Sequence, residues 1–224
     1  MASHLQIAID GPAASGKTTV ARILAQRLDV VYVDTGAMYR ALAFAALRTQ
    51  TDIDNENALV RLMEHHHIRV SLDGETKSGF RVYWQDTELT QDDLDSPVVT
   101  AVVSIVASHP RVREAMVAEQ RRIAGEGSVV MAGRDIGTVV LPHAPYKIFL
   151  TASVAARVAR RNAQLEEAGI DVSLHELTQE IEERDRLDET RKISPLRQAP
   201  GAHLIDSSDL TAEQVVDTIC RLIE

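Results

Sequence analysis

Short apolar runs alternate with helical patterns along most of this chain. In the helical stretches apolar residues recur every three or four positions, as in residues 17–28, where Val20, Ile23, Leu24 and Leu28 share one face. The apolar runs are too short for helices, which favours buried strands. We predict strands at residues 5–10, 30–33, 128–132, 146–150 and 203–205. This alternation is typical of an α/β fold with a five-stranded parallel sheet flanked by helices.

Residues 51–107 interrupt the alternation. Two segments of alternating polarity, 68–72 and 80–84, flank a turn at Asp73-Gly74, and a third short strand is predicted at 88–90. The preceding helix is predicted to end at three consecutive histidines, 65–67, whose spacing does not suit one metal ion. We therefore predict a small antiparallel lobe inserted into the parallel domain.

A glycine, four free positions and Gly-Lys-Thr follow the first predicted strand, at residues 11–18. This spacing, between a strand and a helix, is that of a phosphate-binding loop. Gly11 and Gly16 allow the backbone to pass close to a ligand, and the N–H groups at the start of the next helix favour a polyphosphate. Lys17 can reach the β- and γ-phosphates, and the Thr18 hydroxyl can ligate Mg²⁺. A plain turn of small residues is the alternative. The predicted ATP-binding residues of the loop are Gly11, Pro12, Ala13, Ala14, Ser15, Gly16, Lys17, Thr18 and Thr19.

The composition limits the classes of partner. The chain has 224 residues, enough for one large α/β domain, and its net charge of −9 argues against a general binder of nucleic acid or anionic membranes. An anionic ligand must therefore meet local basic clusters. The N-terminal residues lack a signal-peptide pattern, and no apolar run approaches the length of a membrane span. We expect a cytoplasmic monomer whose single cysteine, Cys220, is a core residue.

Polar residues follow the second and third predicted strands, where ligands of open α/β sheets bind. Thr35 is predicted to cap the next helix, with Tyr39 and Arg40 one turn inside it, and a second anion could bind there. Packing of Tyr39 and solvation of Arg40 fit the spacing equally well. Arg134 and Asp135 stand between two glycines after the third strand. Burial of such an ion pair is unfavourable unless something needs it, and a ligand is the simplest reason.

Two later helices carry charged faces. Arg157, Arg160 and Arg161 are spaced to project from one face, and a triphosphate would relieve their mutual repulsion. A solvated basic face is the alternative. The apolar stripe of the following helix continues through Arg184, Asp188 and Arg191, so this helix could deliver side chains into a cleft. Fraying of the helix near Lys192 is the alternative there.

Phosphoryl transfer explains this combination of groups. One phosphate loop, a second anion site and an arginine-rich segment suggest a donor nucleotide and an acceptor. If the acceptor is a phosphate monoester, its second pKa of about 6 leaves the attacking oxygen ionised at neutral pH, so no general base is required. Catalysis then consists of holding two anions in line and neutralising charge with Lys, Arg and Mg²⁺.

Five motifs, in this order, resemble the signature set of bacterial cytidylate (CMP) kinases, a family of P-loop nucleoside monophosphate kinases. They are Gly11-Pro-Ala-Ala-Ser-Gly-Lys-Thr18, Asp34-Thr-Gly-Ala-Met-Tyr-Arg40, Pro110-Arg-Val-Arg113, Gly133-Arg-Asp-Ile-Gly-Thr-Val-Val140 and Arg184-Asp-Arg-Leu-Asp-Glu-Thr-Arg191. The resemblance runs from about Leu5 to the C-terminus. It implies transfer of the γ-phosphoryl group of ATP to CMP or dCMP, with Mg²⁺, in pyrimidine nucleotide metabolism. It also implies a nucleotide-binding lobe at 51–107 and a helical lid at 153–170.

The resemblance further assigns roles to single residues. The residues it implies at the CMP phosphate are Arg40 and Arg134, with Thr35 and Tyr39 lining the same site. The residues it implies at the cytosine edge are Ser104, Arg113 and Asp135. Those at the ribose and the phosphates are Arg184, Asp188 and Arg191. The lid arginines that close on ATP are Arg157, Arg160 and Arg161. The catalytic set is Lys17, Arg134, Arg157, Arg161 and Arg191. For Mg²⁺, the phosphate-loop motif predicts Thr18 as a ligand through its hydroxyl, and Asp34 is a candidate ligand through a water molecule.

Cytosine differs from uracil at the position that Asp135 would read. Cytosine has an exocyclic amino donor where uracil has a carbonyl, so a carboxylate can complement only cytosine there. We therefore expect discrimination against UMP.

Three other functions remain compatible with parts of the sequence. A shikimate-like or other monophosphate kinase would share the core and differ in its acceptor. A GTP-binding switch is disfavoured because the sequence has no Asn-Lys-x-Asp run. A nucleotide-sensing module would bind ATP without acceptor-dependent formation of ADP.

Overall fold

Five parallel strands form the central sheet of the computed structural model, which describes residues 4–65, 68–71, 80–167 and 169–223. The strands are β1 (Gln6–Asp10), β2 (Val31–Asp34), β6 (Val129–Gly133), β7 (Tyr146–Thr151) and β8 (His203–Asp206). They lie in the order β2-β6-β1-β7-β8, and every neighbouring pair is parallel. The predicted five-stranded parallel sheet is confirmed.

Helices cover both faces of this sheet because its strands are apolar at nearly every position. Val129 and Met131 of β6 belong to the hydrophobic cluster on one face, and Val130 and Ala132 belong to the cluster on the other. Successive side chains of a strand point to opposite faces, so both faces need cover. The helices of the described chain include α1 (Lys17–Leu28), α2 (Thr35–Arg48), α5 (Pro97–Val106), α6 (Pro110–Gly125), α7 (Val154–Glu167), α8 (Leu174–Thr190) and α9 (Ala212–Ile223).

A second, antiparallel sheet is inserted after α2, as predicted. It contains β3 (Ile68–Ser71), β4 (Arg81–Trp84) and β5 (Thr87–Glu88), and the short helices α3 (Glu56–His65) and α4 (Gln91–Asp95) flank it. Val82, Leu89 and Leu94 of this lobe pack with Ala37 and Ala41 of α2. The lobe is therefore fixed to the helix that carries Tyr39 and Arg40. The bounds of the lobe at 51–107 stay a prediction.

The structure differs from the sequence prediction after the second strand of the lobe. The third strand ends at Glu88 and not at Thr90, because Thr90 caps α4. Thr90 Oγ1 accepts from the backbone N–H of Asp93, and the Asp93 carboxylate accepts from the backbone N–H of Thr90, which forms a capping box. The predicted turn at Asp73-Gly74, and two of the three histidines, His66 and His67, lie outside the described residues.

The register of the parallel sheet aligns the ends of three strands. Asp10 of β1 lies opposite Gly133 of β6, and Asp34 of β2 lies opposite Ala132. The phosphate loop, the start of α2 and the loop that follows β6 therefore meet at one edge of the sheet. In the described parts of the chain, no helix is both long and apolar enough to cross a membrane. The monomeric state and the cytoplasmic location stay predictions.

Candidate active site

The loop between β1 and α1 is built on two glycines that no other residue could replace without strain. A Cβ atom at Gly11 would lie 2.0 Å from the carbonyl oxygen of Leu150, so the loop passes against β7 too closely for a side chain. Gly16 is the N-cap of α1 and has a φ of 90°, in the left-handed region that favours glycine. The loop leads directly into the N-terminal turn of α1, whose unpaired N–H groups favour an anion.

Lys17 lies buried at the start of α1 and points back into the loop. Its Nζ atom donates to the carbonyl oxygen of Pro12 at 2.5 Å and to Ser15 Oγ at 3.3 Å. Burial, and then the nearby Arg134, hold the pKa of Lys17 well below its ordinary value. An anion in the loop would stabilise the charged ammonium, so the site favours binding of phosphate there.

The start of α2 corrects one prediction. Asp34, and not Thr35, caps this helix, because its carboxylate accepts from the backbone N–H of Ala37 at 3.2 Å. Thr35 instead donates its hydroxyl to the carbonyl oxygen of Ala132 at 2.8 Å and so ties α2 to β6. The other Asp34 oxygen pairs with Arg40 Nη2 at 3.0 Å. Arg40 is thereby held at the strand ends by a carboxylate, the kind of anion that a phosphate could replace.

Arg113 of α6 and Asp135 of the loop that follows β6 form a buried ion pair. Arg113 Nη2 lies 2.5 Å from Asp135 Oδ2, and the two side chains are 3% and 6% exposed. The Arg113 guanidinium also stacks over the ring of Tyr39, 5.3 Å from its centroid, and donates to the carbonyl oxygen of Ala107. Burial raises the pKa of the Tyr39 phenol to about 12, so this phenol stays protonated. Tyr39 therefore packs, as one interpretation of the sequence held, and it packs against a charged group of the site.

The charged face of α8 meets the loop that follows β6. Arg134 Nε donates to Asp188 Oδ2 at 2.7 Å, and Arg191 Nη1 lies 3.6 Å from Asp188 Oδ1. Burial raises the pKa of Asp188, but Arg134 and its neighbouring arginines outweigh it, so the pKa is lowered overall. Burial and Arg134 lower the pKa of Arg184 to about 10. Because α8 continues to Thr190, Arg184 and Asp188 lie within the helix, and Arg191 is its C-cap.

The three arginines of α7 have different surroundings. Arg157 is buried, and its Nη1 atom donates to Asp185 Oδ2 at 2.5 Å and to the carbonyl oxygen of Ala13 at 3.2 Å. Arg160 donates to the hydroxyl of Ser207 at 3.0 Å and to the carbonyl oxygen of the same residue. Arg161 contacts only Gln164, at 3.5 Å, among the hydrogen-bond partners found in the described chain. Arg160 and Arg161 line the central cavity, whereas Arg157 supports the phosphate loop from below.

One cavity of about 600 Å³ joins these groups. Lys17 and Thr18 at the start of α1 line it, as do Arg40 of α2, Ser104 of α5 and Arg134 of the loop that follows β6. Its volume lies in the range of ligand pockets. Arg184 Nε and Arg191 Nη2, both in residues that line the cavity, are buried donors without a hydrogen-bond partner in the described structure. Such donors favour a polar, negatively charged ligand.

Comparison with known proteins assigns the family. The family model described as Cytidylate kinase matches residues 7–224. The chain belongs to the cytidylate kinase family. It is 46% identical over 223 residues to a cytidylate kinase of Geobacillus sp. (strain WCH70), with 100% of this chain and 98% of the relative covered. It is 50% identical over 220 residues to one of Enterococcus faecalis (strain ATCC 700802 / V583), with 98% and 96% covered. The family resemblance drawn from the five motifs is thus confirmed.

The fold of this cytidylate kinase family member also has a solved counterpart. The crystal structure of an uncharacterized protein from Eubacterium ventriosum ATCC 27560 matches with a TM-score of 0.55 and 13% sequence identity. The match covers 99% of this chain and 98% of that chain. At this identity the likeness concerns the fold alone, and it agrees with the parallel sheet and flanking helices described above.

Most of the predicted site residues of this member of the cytidylate kinase family line the cavity. The residues that do so are Ala13, Ala14, Ser15, Gly16, Lys17, Thr18, Thr19, Asp34, Thr35, Tyr39, Arg40, Ser104, Arg113, Arg134, Asp135, Arg160, Arg161, Arg184, Asp188 and Arg191. Gly11, Pro12 and Arg157 are absent from this lining: the first two form the base of the loop, and Arg157 supports it. The individual roles of all these residues stay predictions.

Three residues of the site did not emerge from the sequence. Asp10 accepts from two backbone N–H groups, Asp185 pairs with Arg157, and Ser207 donates to the carbonyl oxygen of Ser15 at 3.1 Å. For two of them, the sequence context could have indicated a place in the site. Asp10 is a carboxylate at the end of an otherwise apolar strand, and Ser207 follows the last strand at the sheet edge where ligands bind. Asp185 lies in a helix rich in charge, so its sequence context does not distinguish it.

Proposed function

We propose that this protein transfers the γ-phosphoryl group of ATP to CMP or dCMP and produces ADP with CDP or dCDP. The observation that carries the proposal is family membership along the whole chain, joined to one cavity that both the phosphate loop and the cations Arg40 and Arg134 line. A donor and an acceptor nucleotide would meet in this cavity.

ATP is proposed to bind with its phosphates in the loop before α1. Lys17 would exchange the carbonyl oxygen of Pro12 for the β- and γ-phosphates, which are stronger acceptors because they are charged. Arg160 and Arg161 would close over the nucleotide from α7, where both line the cavity. Arg157, held between Asp185 and Ala13, would stabilise the loop conformation in this arrangement.

CMP is proposed to bind with its phosphate between Arg40 and Arg134. In the structure these cations pair with Asp34 and Asp188, so binding exchanges an internal carboxylate for a phosphate. Asp188 would then be available to the ribose, together with Arg184. The exchange leaves Arg40 and Arg134 paired with an anion in both states, which matters because an unpaired buried cation is costly.

The cytosine base is proposed to lie against Ser104, Arg113 and Asp135. The Asp135 carboxylate accepts from Arg113 and has further acceptor capacity on its two oxygens, which suits the amino group of cytosine. Uracil would place a carbonyl oxygen against the same carboxylate, and neither group could donate.

The chemical step needs no general base in this proposal. An ionised oxygen of the CMP phosphate attacks the γ-phosphorus, the bond from that phosphorus to the bridging oxygen breaks, and ADP leaves with the electron pair. Lys17, Arg134, Arg161 and Arg191 are proposed to neutralise the negative charge of the transferring group. Arg157 would join this set directly only after separating from Asp185.

Mg²⁺ is proposed to accompany ATP, and the residues present fit it. Thr18, which is exposed, and Asp34 both line the cavity, and a hydroxyl and a carboxylate are the hard oxygen ligands that Mg²⁺ prefers. When bound, the ion would offset the charge of the phosphates. Because Asp34 already caps α2 and pairs with Arg40, a contact through water suits it better than direct ligation.

Release of ADP from Mg-ATP tests the proposal, with CMP, dCMP, UMP, AMP and shikimate as separate acceptors and Lys17→Ala as the blank. We expect turnover led by CMP and dCMP and lost in the blank. Turnover led by AMP or shikimate would assign another acceptor. Binding of ATP with no acceptor-dependent ADP would indicate a nucleotide sensor and contradict the proposal.

A further inference from the structure

Asp10, the last residue of β1, holds the loop that follows β6 by its backbone. Asp10 Oδ1 accepts from the N–H of Ile136 at 2.7 Å, and Oδ2 accepts from the N–H of Gly137 at 2.7 Å. Asp10 is 2% exposed, so no solvent competes for these bonds. The two bonds join positions 126 and 127 residues apart in the sequence, directly before the phosphate loop and directly after Arg134-Asp135.

The Asp10 carboxylate and the backbone N–H groups of Ile136 and Gly137 form a clamp, which lies beside two side chains of the acceptor site. Arg134 and Asp135 immediately precede Ile136 and Gly137, so the direction of both side chains depends on where this backbone is held. Arg134 reaches Asp188 of α8, and Asp135 reaches Arg113 of α6. A shift of the loop would change both contacts at once.

The Asp10 carboxylate leaves little space for a side chain at Gly137. A Cβ atom at Gly137 would lie 3.3 Å from Asp10 Oδ2 and 3.2 Å from the Cβ atom of Ala199. A side chain there would press on the carboxylate from one side and on Ala199 from the other. An alanine at 137 would therefore require Asp10 or Ala199 to move by a few tenths of an ångström.

Burying a carboxylate at this place has an electrostatic cost. Burial raises the pKa of Asp10 to about 6, and Asp135 acts in the same direction, while the two N–H groups and Lys17 lower the pKa. A buried Asn or Thr could satisfy backbone groups without a charge. A carboxylate is the better choice where two N–H donors must be held together, because each of its oxygens accepts and neither donates.

We propose that Asp10 is a positioning residue for the acceptor nucleotide: its carboxylate fixes the backbone at Ile136 and Gly137 and so aims Arg134 and Asp135 into the cavity. This inference rests on the proposed function for the identity of the acceptor. The donor loop has its own supports in Gly11, Arg157 and Ser207, so the effect of Asp10 falls mainly on the acceptor.

Asp10→Asn tests the inference, assayed at about pH 8 so that the wild-type carboxylate is ionised. The Asn amide would turn one N–H donor toward another N–H donor and lose one of the two bonds. We expect the KM for CMP to rise about tenfold or more, and the KM for ATP to change less than about threefold. Direct binding of CMP, measured by calorimetry, should weaken in the same proportion.

Gly137→Ala provides an independent variant. It crowds Asp10 Oδ2 while leaving the Asp10 and Lys17 charges in place, so it separates the clamp from the electrostatic influence of Asp10 on Lys17. We expect the same selective rise in the KM for CMP. Ile7→Val is the matched control, because Ile7 is fully buried in the same strand and belongs to a hydrophobic cluster. It should leave both KM values unchanged.

Hydrogen exchange separates this inference from the proposed function. In Asp10→Asn the amides of residues 134–140 should exchange faster, while those of residues 17–28 stay protected, and this readout requires no acceptor. If the wild type neither binds nor phosphorylates CMP, the proposed function fails. The hydrogen exchange of residues 134–140 in Asp10→Asn, compared with the wild type, still tests whether Asp10 holds this backbone. Unchanged exchange at 134–140, or an equal rise in both KM values for folded Asp10→Asn and Gly137→Ala, would overturn the inference.

Discussion

Arg157 and Asp185 join α7 to α8 directly beneath the phosphate loop. Their side chains are 6% and 14% exposed, and the Arg157 nitrogen that meets Asp185 at 2.5 Å also donates to the carbonyl oxygen of Ala13 at 3.2 Å. One guanidinium thus connects the donor loop to the helix that carries Arg184 and Asp188. The conformation of the loop and the position of α8 are therefore coupled.

The first prediction concerns the stability of this pair. Asp185→Ala leaves a buried cation unpaired, so we expect the free energy of unfolding to fall by about 3 kcal/mol. Arg157→Ala/Asp185→Ala removes both charges and should be less destabilised than the single variant. Glu183→Ala on the same helix breaks the exposed pair with Arg186 and should destabilise the fold much less than Asp185→Ala, because water screens an exposed pair. Urea unfolding measures all three, and equal effects of Asp185→Ala and Glu183→Ala would contradict the coupling.

The Arg157–Asp185 pair also marks a limit of prediction from sequence. The spacing of Arg157, Arg160 and Arg161 predicts one basic face, but the environment of each arginine depends on how α7 packs against α8 and on β8. The partner of Arg157 lies 28 positions away, in a helix with many charged residues. Spacing along one helix cannot identify such a partner.

Features dictated by local chemistry were predicted well. The phosphate loop was predictable because Gly11 and Gly16 are required by close approach and by a left-handed φ. The sheet was predictable because its strands are apolar on both faces. The sequence predicts Thr35 as the cap of α2, one residue after the actual cap, Asp34. Both are good capping residues, and only the backbone geometry decides between them. The contacts of Asp10 could not be predicted from the sequence, because they depend on the register between β1 and β6.

The second prediction concerns Lys17. Lys17→Ala removes the cation that faces the donor phosphates, so we expect kcat to fall about 100-fold or more. Arg22→Ala, an exposed change on the same helix, should leave kcat within about twofold of the wild type. Steady-state assays with saturating CMP measure both. A Lys17→Ala variant with wild-type kcat would contradict the assignment of the loop to the donor.

The third prediction compares two glycines. A Cβ atom at Gly133 would lie 2.5 Å from Thr35 Oγ1 and 2.7 Å from Ile136 Cδ1, whereas one at Gly127 would meet nothing within 4 Å. Gly133→Ala should therefore destabilise the fold by about 1–3 kcal/mol and raise the KM for CMP, because it displaces Thr35 and the acceptor loop together. Gly127→Ala should change neither. Thermal unfolding and CMP titrations test the pair, and similar behaviour of the two variants would refute the packing argument.

The fourth prediction concerns the choice of base. Asp135→Ala removes the acceptor proposed for the cytosine amino group. We therefore expect kcat/KM for CMP to fall by a factor that corresponds to about 1–3 kcal/mol of lost transition-state stabilisation. The preference for CMP over UMP should disappear. The variant also leaves Arg113 unpaired, which lowers activity with every acceptor. The ratio of kcat/KM values for CMP and UMP removes this common loss. An unchanged ratio in Asp135→Ala, or no preference in the wild type, would contradict the assignment.

The fifth prediction concerns two buried carboxylates whose pKa values shift in opposite directions. Burial raises the pKa of Asp10 from 3.8 to about 6, so between these values the folded state binds more protons than the unfolded state. The contribution of Asp10 to stability is therefore largest at low pH and declines by about 3 kcal/mol as the pH rises through 6. Asp188 behaves in the opposite way: Arg134 and its neighbours outweigh burial and lower its pKa, so its contribution is present at neutral pH and is lost on acidification below the unfolded value.

Difference curves isolate these two contributions from the other titrating groups. The free energy of unfolding is measured by urea between about pH 4 and 8 for the wild type, Asp10→Asn and Asp188→Asn. The wild-type value minus the Asp10→Asn value should fall as the pH rises, because only the wild type pays to ionise a buried carboxylate. The wild-type value minus the Asp188→Asn value should not fall over that range, and it should decrease toward its acid end. Slopes of the same sign would mean that Asp10 is already ionised at low pH, and its two N–H partners would then outweigh its burial.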